Sequence, residues 1–78
     1  MIQVTENDIA LGYPMSATKC PVALALRRDF CASEVGVTRS LIRVGMVFFK
    51  TPSNVARFIK HFDQGLPVKP VKFTLVTK

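Results

Sequence analysis

Ile2 and Val4 alternate with Gln3 and Thr5, the period of a half-buried strand, so a first strand is expected over residues 2–5. Asp8 stands three residues after Thr5, in a capping-box-like position, and Gly12 supplies a stop. A short helical turn from Glu6 to Leu11 follows from that spacing. Tyr13 to Lys19 reads as a loop. Pro21 suits a first helical position because its missing N–H would have been an orphan donor there. The helix it opens is expected to run to Phe30. Val22, Ala23, Leu26 and Phe30 form its apolar stripe, Leu24 and Ala25 widen it, and Arg27, Arg28 and Asp29 face solvent.

From Glu34 to Thr51 β-branched and aromatic residues dominate, which favours an antiparallel hairpin. Val35 and Val37 share one parity and Ile42 and Val44 the other. Either the chain turns near Arg39 and Ser40, or it bulges there and turns at Gly45; the earlier turn is preferred. Phe48 and Phe49 point to opposite faces, so one of them is expected to be exposed. Thr51 followed by Pro52 marks a helix start, with the Thr51 hydroxyl as N-cap. Val55, Phe58, Ile59 and Phe62 recur at the i, i+3, i+4, i+7 spacing of an amphipathic helix, ended by Gly65 and Pro67. Val71, Phe73 and Leu75 alternate with Lys72 and Thr74 in a last strand with one buried face. Strand, helix, strand, strand, helix, strand is the order of the α+β, ferredoxin-like βαββαβ arrangement, with two helices on one face of a four-stranded antiparallel sheet.

The chain has 78 residues, room for a single domain over 1–78 and for one core. It is expected to fold alone or as a small oligomer, a homodimer included. Its longest uncharged stretch, Ile9 to Thr18, is about half of the ~20 residues a membrane helix needs and contains Pro14. The first residues lack the basic then apolar pattern of a secretory signal, so the protein is expected to stay in the cytoplasm and to contact no membrane. Cys20 and Cys31 flank one helix and would stand about 16 Å apart, too far to bridge within a monomer.

Eleven Lys and Arg against five Asp and Glu give a net charge of +6. That surplus favours polyanionic partners, either nucleic acid or an acidic protein surface. The basic residues are scattered, with no run of three. In the ferredoxin-like layout Arg27 and Arg28 on the first helix and Arg57 and Lys60 on the second would share one positive surface, which makes them the preferred partner-binding residues. The competing carriers are Arg43 and Lys72, on the open face of the sheet. Base-reading by aromatic residues on that face fits less well, because Phe73 has the parity of the core.

Catalytic chemistry finds little support. The one histidine, His61, is expected on the polar, solvent-facing side of the second helix beside Asp63, without the nucleophile and orienting group a catalytic set requires. Cys20, Cys31 and His61 supply at most three of the four ligands of a structural zinc site, so only a site between subunits would complete one. The four glycines are dispersed, and no glycine-rich phosphate loop precedes a helix. Cys20 sits beside Lys19 at a helix N-terminus, where a thiolate is favoured. With no second cysteine near it and no base, capping or core filling is its expected role. No cofactor is implied, and no enzyme activity is expected.

The opening IQVTENDIALG, the CPVALALRR helix and the closing PSNVARFIKHFDQGLPVKPVKFTL together resemble a group of small uncharacterised proteins of tailed phages and prophages. CPVALAL after a polar loop and FDQG at the end of the second helix are the most specific pieces. The resemblance covers most of the chain and implies origin in a phage or prophage, with no catalytic residue to carry over. By analogy it implies an accessory protein working in the host cell by binding a host or phage protein, with nucleic-acid binding as the alternative.

Overall fold

The computed structural model describes residues 1–77. Strand β1 (Ile2–Val4) leads into helix α1 (Glu6–Leu11), and a loop leads to α2 (Pro21–Phe30). Strands β2 (Val35–Val37), β3 (Leu41–Val44) and β4 (Val47–Lys50) follow, then α3 (Ser53–Asp63), β5 (Val71–Phe73) and β6 (Val76–Thr77). The α+β class stands, but the strands do not form the single four-stranded sheet of the ferredoxin-like arrangement. They divide between a two-stranded sheet, β1-β5, and a second sheet ordered β2-β3-β4-β6, with every pairing antiparallel.

Two features of the backbone produce that division. Both turns expected as alternatives between Glu34 and Thr51 are made, so the segment is a three-stranded meander and not one hairpin. Val37 pairs with Ile42 around a Thr38–Ser40 turn stitched by the Thr38 hydroxyl, which accepts from the Leu41 N–H at 3.0 Å. Val44 pairs with Val47 around Gly45 and Met46, and Gly45 takes the positive φ of +60° that a tight hairpin turn demands at its first central residue. The last strand is also broken. Val71–Phe73 pairs with β1, the ladder stops at Thr74 and Leu75, and Val76–Thr77 resumes beside β4. The segment 71–77 thereby links the two sheets.

One hydrophobic core serves all of these elements. Val4 and Phe73 enter it from the small sheet, Val22 and Leu26 from α2, Val35 and Ile42 from the meander, and Val55 and Phe58 from α3. Burying side chains of this size stabilises by about 1.5–3 kcal/mol each before conformational entropy is charged against it. The Phe58 and Phe62 rings stack with centroids 6.2 Å apart, one turn along α3. Phe30, expected in the buried stripe, is instead 45% exposed: it is the last residue of α2 and borders an open depression with Ile2, Phe49 and Leu75.

The helix ends follow the sequence with one exception. Thr5 and Asp8 make the full capping box: the Asp8 N–H donates to the Thr5 hydroxyl at 3.2 Å and the Thr5 N–H to Asp8 Oδ2 at 2.9 Å. Cys20 Sγ accepts from the Ala23 N–H at 3.4 Å and caps α2. At the end of α3, Leu66 N–H donates to His61 O and Gly65 N–H to Phe62 O, the paired bonds of a Schellman motif, with Gly65 at φ +78°. The exception is Thr51. Its buried hydroxyl donates to Thr38 O at 2.9 Å, tying the entry of α3 to the β2–β3 turn, and does not cap the helix.

The buried Asp8 carboxylate does more than cap α1. Its Oδ1 lies 2.8 Å from Arg28 Nη1, and Arg28 Nη2 donates to Gln3 O at 2.9 Å on the outer edge of β1. The far edge of the same sheet is closed in the same manner, by Asn54 Nδ2 donating to Lys72 O at 3.1 Å. On the outer edge of β2, the Val37 N–H is taken by Ala17 O at 2.8 Å. Burial pushes the Asp8 carboxyl upward, but the Arg28 guanidinium and the Thr5 donors outweigh it and hold the group below its ordinary value of 3.8.

Two outcomes follow from these contacts. A Cβ on Gly12 would stand 2.5 Å from Pro21 Cδ, so Gly12→Ala must push α1 and α2 apart and is expected to cost about 1–3 kcal/mol in urea denaturation. A carboxyl whose folded pKa is depressed contributes stability that is present above its unfolded value and lost as the pH falls through the folded one. Asp8→Asn is therefore expected to lower stability at neutral pH by about 1–2 kcal/mol and to flatten the loss of stability below about pH 4, read by thermal melts across that range.

Candidate binding surface

The charges of this chain are unevenly spent. Of its five acidic residues, Asp8 and Asp29 both lie against Arg28, and Asp63 Oδ1 accepts from the Met15 N–H at 2.8 Å, fastening the 12–20 loop to α3. Among the described residues Arg28 is the one cation in an ion pair. The others make no ion pair, and all but the half-buried Arg27 are left to solvent or to a partner.

The four helical cations expected to form one surface stand in different surroundings. Arg28 is committed to Asp8, Asp29 and Gln3 O. Arg27 is half-buried, and its Nε is shut off from solvent without a hydrogen-bond partner. Lys60 borders a shallow depression with Met15, Arg39 and the Asp63 carboxylate. Arg57 faces another way, into a groove of about 500 Å³ between α3 and the return segment that follows Gly65. That groove is floored by Phe58, Val68 and Val71, walled by Pro67 and Pro70, and rimmed by Arg57, His61 and Lys69, with no acidic side chain in its lining. His61 is half-buried there and not fully solvent-facing as the helical pattern implied. Lys69 escaped sequence reading because it sits between prolines in a segment with no periodicity.

Arg43 and Lys72, the sheet-face alternative, belong to different sheets and share no face. Arg43 does have suitable company. Gly36, Arg43 and Phe48 form one rung across the meander on its outward face, and Leu41 and Lys50 form the next. Phe48 is 46% exposed, whereas Phe49 turns inward against the core, as the opposed parities required. The Arg43 Nε lies 4.0 Å from the position a Cβ on Gly36 would take, so the guanidinium crosses a strand that offers no side chain of its own.

Thiol chemistry finds less support. Cys20 is 3% exposed, and burial pushes its thiol above the ordinary value despite the Ala23 and Val22 N–H groups, with the Asp63 carboxylate adding to the rise. The N-terminal amides of α2 thus stabilise a cap and not a reactive thiolate. Cys31, at the other end of α2, is exposed with a left-handed backbone at φ +50°. Cys20, Cys31 and His61 are not brought together, and no group of three potential metal ligands converges among the described residues. No helix is long and apolar enough to cross a membrane among them. The chain matches no protein-family model, no curated protein and no solved structure.

The difference between Arg28 and Arg57 is measurable. Arg28→Ala is expected to cost about 1–2 kcal/mol, a lowering of Tm by roughly 5–15 °C, with the loss moderated because half of that side chain is in water. Arg57→Ala should leave Tm within about 2 °C of the parent. Equal losses would mean that Arg57 has a structural partner after all.

Proposed function

We propose that this chain is a small phage-type accessory protein that works by binding an acidic surface of a host or phage protein, in the cytoplasm of the cell, and performs no catalysis. The observation that carries this reading is the division of charge: the acids Asp8, Asp29 and Asp63 are consumed by internal contacts, while every described cation except Arg28 is unpaired. Glu6 and Glu34 remain exposed, but the cations outnumber them, and a predominantly basic surface steers an oppositely charged partner and accelerates its encounter. The resemblance of the CPVALAL and FDQG segments to small phage and prophage proteins supports the same class.

The exposed Phe48 beside Arg43 favours one other reading, single-stranded nucleic acid laid across the meander with a base on the ring. The two readings separate in one set of titrations. A partner captured from bacterial lysate and then purified is expected to bind with an affinity that falls with added salt and with Arg57→Glu, while fluorescence anisotropy shows no binding of single- or double-stranded DNA or RNA at low salt. Tight nucleic-acid binding lost with Phe48→Ala, and no acidic protein retained, would replace the first reading by the second.

A further inference from the structure

The groove between α3 and the return segment is built before any ligand arrives. Its near end is fixed by the Schellman bonds from Leu66 and Gly65 to the last turn of α3. Its far end is fixed where Asn54, in the first turn of α3, donates to Lys72 O. Between those anchors Pro67 and Pro70 hold φ near −65° and withhold two N–H donors, so the wall is stiff and largely aliphatic. A site whose walls need no ordering avoids much of the entropic cost of association.

The lining names the ligand. Phe58 is only 6% exposed, so it offers no ring face on which a nucleic-acid base can stack; with Val68 and Val71 it makes an apolar floor instead. Around that floor stand Arg57, His61 and Lys69, with no carboxylate to neutralise them. Arg57 and His61 are four residues apart and so share one face of α3, with Lys69 across the groove from them. We infer that the groove receives an extended acidic segment of a partner protein, which sets an aliphatic side chain on the Phe58–Val68–Val71 floor and its carboxylates between Arg57 and Lys69. This rests on the reading of the chain as a binder of acidic protein surfaces and assigns that binding to one place.

The test is backbone amide NMR of the whole chain, titrated with an octapeptide of glutamate carrying leucine at its third and sixth positions. Shifts are expected at Arg57, His61, Val68, Lys69 and Val71. Arg57→Glu with Lys69→Glu should weaken binding about tenfold or more while leaving the remaining amide spectrum unchanged, and Arg43→Glu should leave affinity within about twofold. Replacing the glutamates by lysine should abolish the shifts; replacing the leucines by glycine should weaken them, since the floor would be unfilled. Shifts confined to Leu41, Arg43 and Phe48 would overturn the groove and leave the broader reading standing. No shift with the peptide, with single-stranded DNA shifting the meander amides, would overturn both.

Discussion

The contact between Asp8 and Arg28 is the constraint on which the rest of the molecule is arranged. Asp8 is required at the start of α1 to close the capping box with Thr5, and it is buried there. A buried carboxylate needs a cation and hydrogen-bond donors, or its desolvation is uncompensated. Arg28 meets that need from 20 residues away, and its second nitrogen continues to the Gln3 carbonyl. One guanidinium thus ties α1, α2 and β1 together. It also pairs with a second acid, since Asp29 lies 3.6 Å from Arg28 Nε on its other side. The basic exterior is in part a by-product of this internal neutralisation.

The separation into two sheets has a functional consequence of its own. Had β5 joined the meander along its whole length, the segment after Gly65 would have run directly into that sheet. Instead β5 pairs with β1 and only β6 reaches β4, which leaves the 66–70 segment lying alongside α3 as a wall. The groove is therefore a product of topology, and Gly65 is its hinge point only in the sense that no side chain is compatible at low cost with its positive φ.

The helices were legible because their signals are local. The Thr5–Asp8 spacing, Pro21 after Cys20, the Val55–Phe62 periodicity and Gly65 each act within one or two turns, and the structure places α1, α2 and the end of α3 accordingly. The meander was half legible. Inward residues switch parity between Val37 and Ile42, and again between Val44 and Phe49, and each switch marks a tight turn. Treating the two turn positions, Arg39–Ser40 and Gly45, as alternatives merged three strands into two. What sequence reasoning missed is non-local: that Arg28 finds Asp8, that Thr51 spends its hydroxyl on Thr38 O, and that Lys69 faces Arg57 across a groove. No periodicity encodes a contact between positions 20 residues apart.

The blocked strand edges bear on how this protein meets other chains. A short two-stranded sheet with free edges would recruit any extended segment, including another copy of itself, through backbone hydrogen bonds that carry little sequence information. Here the Gln3 carbonyl is held by Arg28, the Lys72 carbonyl by Asn54 and the Val37 amide by the Ala17 carbonyl. Strand addition along β1, β5 and β2 must first displace these bonds. Recognition along these edges is thereby pushed from main chain to side chain, where charge and shape discriminate, and a basic protein with many exposed apolar residues is less open there to pairing with copies of itself.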